Sequence, residues 1–519
     1  MSSLVALPDE VLKLVMEHVP LTDRLGSCCL VSRRLHAAAV AATDRVCLVN
    51  SRCESGIEWL LHYGHHVTGL ELVDCPHPVS QIPCPNLLQL RCVDCSMQLG
   101  PAPDGSPGVI HGCTNITDLE LIWHGSLMLA DANFNSLSSL VHLESLFVTA
   151  LDPIDLSRGT LPCLTRLTSL RVGELAAVEV LAELGALTNL QELTFYANGE
   201  GNASRTTIGP STVPGLEFPT SLTELVLATR IEARLLSLAP EGLLTLCVAG
   251  VVEGPAEGPG SFLSCIARLQ HLTELNIEPF GRINWPPPGP AYSALTASSN
   301  LESLCLGASQ PPVGVWSYVF PASHKLPHLT SLCLQEETYD VEWATPPPAW
   351  GAAELSNLVS CCPNLCEVYP EWYMQPGLHV SELHKLTGFT WLNVNYRAYD
   401  LEAFQESVKG IAAVTQLREL KVVVTGMQDG PVAGLLPFTS LTALTWLSCP
   451  GIRDTMRDVS GVYFVQEVSK TLAAGPASSN GVCIAQHNTG RHGTARHHRV
   501  SWQLQCRLKW TGSGSWKGL

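Results

Sequence analysis

The sequence predicts an α/β chain: an N-terminal three-helix module, then a horseshoe solenoid with an inner parallel sheet and outer helices. Three observations carry this. One short pattern, clearest at Leu187–Asn198 (LTNLQELTFYAN), recurs down most of the chain with apolar residues at its first, fourth and sixth positions. The copies lie about 27 residues apart, a period at which each unit packs only on its neighbours. The length, 519 residues with no strong linker in the middle, exceeds what a single compact core accommodates.

The first module spans residues 4–46. Leu7-Pro8-Asp9-Glu10 opens a helix, because proline is tolerated in a first turn and acids there suit the helix dipole. Val11, Leu12, Val15 and Val19 recur at helical spacing and are expected to form one apolar face, which Pro20 ends. Thr22 or Asp23 can cap a second short helix carrying Leu25, Cys28 and Cys29. Ser32 can cap a third, RRLHAAAVAAT, whose alanines permit close packing. So small a core is marginal alone and should lean on a partner or on the next domain.

Leu7-Pro8-Asp9-Glu10-Val11-Leu12, Asp23-Arg24-Leu25 and Val31-Ser32-Arg33-Arg34-Leu35-His36 resemble the three helices of an F-box, with Leu35 where the family usually has tryptophan. The resemblance implies docking on a Skp-type adaptor of a cullin ubiquitin ligase. Leu7, Pro8, Val11, Leu12, Val15, Pro20, Leu25 and Leu35 would form or support that apolar surface.

Fifteen repeats occupy residues 47–455, from Val67-Leu70-Leu72 to Leu441-Leu444-Trp446. Positions four and six of a short strand point into the core; positions three, five and seven point away. Parallel stacking requires the intervening chain to return on the other side, and Val178–Leu187, Phe262–Leu269, Glu354–Cys361 and Leu401–Ala413 read as helical. Asn198, Cys75, Cys95 and Cys449 fall in the ninth-position turn. The array resembles leucine-rich repeats of the helical, ribonuclease-inhibitor-like or cysteine-containing kind. Pro/Gly-rich insertions at 100–108, 199–214, 254–260, 286–290 and 346–348 read as loops on one rim.

A hydrophobic fraction of 46% and a charged fraction of 15% describe an ordered chain, and a net charge of −17 argues against general nucleic-acid binding. The N-terminus lacks a basic start followed by an apolar run, and no apolar stretch is long enough to span a bilayer. The expected setting is the cytoplasm, the nucleus or both, with twenty cysteines present mostly as buried thiols. Cys92-x-x-Cys95 is the obvious metal or redox candidate, yet the repeat itself explains the spacing as a core position and a turn position. Cys361-Cys362 and Cys366 read likewise as a helix end and a repeat start. No phosphate-binding glycine loop, His-Glu-x-x-His or Gly-x-Ser-x-Gly is present. The expectation is a non-enzymatic chain without cofactor or metal and without membrane or nucleic-acid partners.

Position three is acidic in many copies: Asp118, Glu192, Glu224, Glu274, Glu367 and Glu419. With strands roughly 5 Å apart, these acids form a broken row, either to attract a basic partner or to keep an open sheet soluble. Tyr369, Glu371 and Trp372 in one repeat, with Trp391, Asn393, Asn395 and Tyr396 in the next, have the composition of a binding hot spot or of a patch packed under a loop. Glu192, Thr194 and Tyr196 lie between the leucines of the clearest copy and are candidates for touching a target.

Residues 456–519 form a basic tail, expected to be mostly disordered, with a short strand possible at Val500–Leu508. Six cations and no acids occur after Thr471, together with His487, His492, His497 and His498. The combined reading is a substrate-recognition subunit of an SCF-type ubiquitin ligase that captures a target protein through its repeats. The alternatives are a non-ligase scaffold, cytoskeletal or ciliary, and a ligand-sensing repeat receptor.

Overall fold

The computed structural model describes residues 7–19, 23, 29–50, 53–75, 79, 82–97, 99, 108–124, 134–150, 153–154, 156, 158–173, 175, 178–196, 207–253, 258, 260–277, 285–287, 289–307, 312, 314–334, 352–370, 380–397, 401–425, 437–438, 440–441, 443–444, 446–448 and 505–507. The chain divides into two compact units, residues 1–243 and 244–519.

The first unit opens with α1 (Asp9–Glu17), whose N-cap is Pro8 and whose first turn carries Asp9 and Glu10. A helical turn at Cys29–Val31 leads to α2 (Arg33–Ala41), where the Ser32 hydroxyl accepts from the Leu35 backbone N–H at 3.1 Å. That bond satisfies one of the orphan donors of a helix start. Leu12 and Met16 of α1 pack on Leu35, Ala38, Ala39 and Ala42, with Val19 at the margin. The alanines let the two helices approach. The module leans on the chain that follows, as its small core requires: His36 of α2 is 3.1 Å from the Tyr63 hydroxyl at the end of α3 (Cys53–Tyr63).

Eight parallel strands complete this unit: β1 (Arg45–Val49), β2 (Gly69–Val73), β3 (Gln89–Val93), β4 (Asp118–Trp123), β5 (Ser145–Ala150), β6 (Ser169–Val172), β7 (Glu192–Tyr196) and β8 (Glu224–Glu232). β2 to β8 fall on the predicted repeats in the predicted register, with position-four leucines such as Leu70, Leu119 and Leu193 at most 3% exposed. β1 is an additional repeat that the pattern misses. Val46 pairs with Leu70, which puts Thr43 where other copies carry a leucine. Thr43 is fully buried there because its hydroxyl donates to the Ala39 carbonyl at 2.8 Å.

The second unit holds β9 (Thr245–Val252), β10 (Glu274–Ile277), β11 (Ser303–Leu306), β12 (Ser331–Leu334), β13 (Glu367–Pro370), β14 (Trp391–Arg397), β15 (Glu419–Thr425) and β16 (Trp446–Ser448), all parallel. The last predicted repeat is out of register by three residues. Glu419 pairs with Trp446 and Leu420 with Leu447, so the anchors begin Leu444-Leu447 and Trp446 joins the position-three row. Leucines at 441, 444 and 447 make the two registers indistinguishable by pattern, and the backbone pairing decides between them. In the tail, β17 (Gln505–Arg507) lies inside the predicted segment and pairs antiparallel with β16.

The return segments are only partly α-helical. α4 (Ser261–Ile266), α5 (Trp316–Val319), α6 (Ala352–Cys361) and α7 (Leu401–Ala412) belong to the second unit. In the first unit Val178–Ala186, predicted as helix, is a 3₁₀ run, as are Phe134–Ser139 and Leu161–Cys163. A 3₁₀ helix rises about 2 Å per residue, so it spans a short return with fewer residues.

Ties between repeats sit just before the strands. Thr68, Thr117, Thr168, Thr223, Thr273 and Thr330 donate their hydroxyls to carbonyls one repeat back, and Asn86, Asn115, Asn189 and Asn364 do so from their side-chain amides. Of the predicted ninth-position residues, Asn198 and Cys449 lie outside the described residues, while Cys75 and Cys95 are buried. The residue before each turn cysteine, Asp74 or Asp94, takes a left-handed backbone (φ 51), as Asn50 does in β1's repeat (φ 56). Asn and Asp are the non-glycine residues that tolerate this region.

Asp94 also accepts from the His124 backbone N–H at 2.6 Å and meets its ring Nδ1 at 2.8 Å. Burial opposes ionisation of the Asp94 carboxyl, but the bonds from His124 prevail and hold it below its ordinary 3.8. A carboxyl depressed by folding stabilises fully above its unfolded pKa and loses that contribution as pH falls through its folded value. The thermal-melting gap between wild type and Asp94→Asn should therefore be widest above pH 3.8 and close below it. A gap that stays constant on acidification would refute the pairing.

Candidate functional site

Helical geometry divides the apolar residues of α1 between two faces, at about 100° per residue. Leu12 and Met16 turn inward, 0% and 3% exposed, whereas Val11, Leu14 and Val15 are 40%, 58% and 36% exposed. The single predicted face of Val11, Leu12, Val15 and Val19 is thus two. Leu30 and Val31, in the turn before α2, are 86% and 53% exposed and add to the outward set. Among the predicted docking residues, Leu7 is half-buried, Pro8, Val11 and Val15 are exposed, Leu12 and Leu35 support from the core, and Pro20 and Leu25 lie outside the described residues. Leu14, Leu30 and Val31 were missed; exposure separates them from the core, and spacing alone does not.

Arg34 fixes the start of α1. Its Nε and Nη2 bind Asp9 Oδ1 at 2.8 and 2.6 Å, and Nη2 also donates to the Leu7 carbonyl at 2.6 Å. The exposed apolar residues of α1 are thereby held in a fixed orientation on α2.

The open face of the sheet is the second candidate. In the first unit it forms a groove of about 800 Å³ whose lining includes Arg45, Glu71, Arg91, Glu120, Phe147 and Arg171. The position-three acids stand in register as predicted, and of the position-five arginines Arg171 offsets the position-three Glu192, while Arg91 pairs within its own row with the position-five acids Glu71 and Glu120. Arg91 bridges Glu71 at 2.8 Å and Glu120 at 3.2 Å, and Arg171 binds Glu192 at 3.1 Å. Reading position five down the copies, as position three was read, finds both arginines and Phe147.

Phe147 and Tyr196 stand edge to face with ring centroids 6.4 Å apart. β6 lies between their strands and carries Gly173 just past its end, in line with Tyr196. Tyr196 is 37% exposed and Glu192 half-buried. Thr194, predicted to touch a target, is 2% exposed and offers no contact surface. This short side chain stands in register between Arg171 and Val226, on a strand that ends in Tyr196.

In the second unit Trp391 is half-buried at position three, between Glu367 and Glu419. Tyr369, Asn393 and Asn395 occupy the predicted strand positions on β13 and β14. Glu371 and Trp372 lie outside the described residues. The two registers together run Glu367, Trp391, Glu419, Trp446 across four strands.

The cysteines near β3 are core and turn residues. Cys92 is fully buried at position six and Cys95 fully buried in the turn, and burial pushes both thiols up. Burial likewise raises Cys84 to about 12 and Cys113 to about 11. Such thiols are poor nucleophiles and poor metal ligands at neutral pH. Among the described residues no group of three or more His, Cys, Asp or Glu is gathered as for a metal ion. Among the described residues thirteen cysteines remain thiols, while Cys75 departs from the expectation by being disulfide-bonded.

Residues 4–40 match the F-box domain family. The chain carries an N-terminal F-box domain followed by a leucine-rich-repeat-like region of parallel strands. Among solved structures it is similar to a leucine-rich-repeat protein of Leptospira interrogans, at 15% identity and a TM-score of 0.45, over 80% of this chain and 85% of that one. It is also similar to the PEPR1–AtPEP1 complex, at 15% identity and a TM-score of 0.30, over 73% of this chain and 53% of that one. No curated protein sequence matches the chain. Among the described residues no helix is long and apolar enough to cross a membrane.

Proposed function

We propose that this protein is a substrate-recognition subunit of a cullin-type (SCF) ubiquitin ligase. Its F-box docks on a Skp-type adaptor and its repeats hold a target protein. The observation that carries the reading is the outward apolar set Val11, Leu14, Val15, Leu30 and Val31, on a module whose own core is already filled by Leu12, Met16 and Leu35. Exposed apolar side chains grouped on so small a domain are explained by a partner that covers them. The chain contributes proximity: it brings target lysines to a ubiquitin-charged enzyme held elsewhere in the complex. Co-purification with a Skp-type adaptor tests the reading, and failure of the full-length protein to bind one sinks it.

Target capture is assigned to the open face of the sheet. Trp391 with Tyr369, Asn393 and Asn395 is one candidate patch, to which the sequence adds Glu371 outside the described residues, and Tyr196 with Glu192, joined by Phe147, is the other. Trp391→Ala should lower target recovery at least tenfold, since an aromatic anchor of an interface is worth about 2 kcal/mol or more. The measurement is proximity labelling with the proteasome inhibited, comparing wild type and variant at equal circular dichroism. Undiminished labelling by the variant would remove the patch from the site.

A further inference from the structure

Two consecutive repeats carry the same tetrapeptide, Ser303-Leu-Cys-Leu306 and Ser331-Leu-Cys-Leu334. They form β11 and β12, and the register sets Cys305 directly opposite Cys333. Both are at position five, on the open face of the sheet, and both are half-buried thiols. The Cα atoms of in-register residues on neighbouring strands lie about 4.8 Å apart. That falls within the window of about 4.4–6.8 Å that a disulfide spans. Asn276 and Tyr369 flank the pair on the outer strands, while along the two strands the same-face neighbours are small, Ser303 and Ser331 at position three and Gly307 just beyond β11. A small oxidant therefore has access from solvent.

Among the described cysteines of this unit, Cys247, Cys361 and Cys362 lack that combination. Cys247 shares position five but is separated from Cys305 by the Asn276 strand, about 10 Å away, and it is 6% exposed. Cys361 and Cys362 are fully buried.

We propose that Cys305 and Cys333 form a redox-active dithiol that a hydroperoxide converts to a disulfide across β11 and β12. One thiolate attacks a peroxide oxygen, the O–O bond breaks, and the departing hydroxide takes a proton to become water. The sulfenic acid left behind is attacked by the second thiol, its S–O bond breaks, and a second water leaves. Two thiols and one hydrogen peroxide thus give one disulfide and two waters; the sulfurs are oxidised and the peroxide oxygens reduced. Cys333 stands in register with Tyr369, so the bond would form in the same row as the second-unit target patch.

The test uses the full-length protein, reduced, desalted and titrated with hydrogen peroxide, then alkylated and mapped without reductant. The expected result is loss of two alkylatable thiols per chain, a joined peptide pair containing Cys305 and Cys333, and full recovery with dithiothreitol. Cys305→Ser should abolish the pair without a substitute link from Cys333 to Cys247. Wild-type mapping needs no variant, so the test survives a variant that folds badly. Full alkylation of both cysteines after peroxide, or their separate conversion to sulfinic acids, overturns the proposal. So does an identical set of links from protein unfolded in guanidinium, because the pairing then owes nothing to the sheet.

Discussion

Leu14→Asp is expected to abolish capture of a Skp-type adaptor while leaving the fold of the protein unchanged. Leu14 is 58% exposed between Val11 and Val15, so a carboxylate there costs the free protein little. In the complex the same carboxylate is forced against apolar surface without a partner. Loss of an interface anchor costs about 2 kcal/mol or more, and a buried unpaired charge adds to it, so affinity should fall by at least about 30-fold. The check is a pull-down from purified components with circular dichroism and thermal melting of the free variant. Wild-type capture by Leu14→Asp would show that the outward face of α1 is not the docking surface.

Leu12→Ala should also lose the adaptor, by a different route. Leu12 is fully buried in a core of six residues, so its truncation costs about 2–5 kcal/mol in transfer and cavity terms. A core this small cannot absorb such a loss, and the helices should open while the repeats, which pack on one another, persist. Hydrogen exchange should rise sharply in α1 and α2 and stay low in β4 to β7. Because the defect is in folding, excess adaptor should restore part of the binding by mass action, with no such recovery for Leu14→Asp. Equal exchange in wild type and Leu12→Ala would contradict the placement of Leu12 in the core.

The repeats were legible because their signal is redundant. Each copy restates the same one-four-six spacing, and alternation along a strand turns it into a prediction of which side is buried. Failures occurred where a copy departs from the pattern or is ambiguous. Thr43 hides β1 because a hydroxyl satisfied within α2 replaces the expected leucine. The leucines at 441, 444 and 447 hide the register of the last repeat.

The candidate surfaces were legible only in part. A list of apolar residues at helical spacing does not say which of them a neighbouring helix covers, and the packing of α1 on α2 separated Val11 and Val15 from Leu12. The acidic row was visible as a sequence feature, but Arg171 offsets its member Glu192 from the strand one repeat away. Thr194 had the polarity of a contact residue and the burial of a core one.

LTNLQELTFYAN shows where the division falls. The sequence alone determined that Leu190, Leu193 and Phe195 are core and that Glu192 and Tyr196 face the other way, because strand alternation is a local rule. Only the tertiary structure decided what Glu192 and Tyr196 do there. Register across neighbouring strands brings Arg171 to Glu192 and, past Gly173, Phe147 to Tyr196, and such pairings between repeats leave no trace in any single copy.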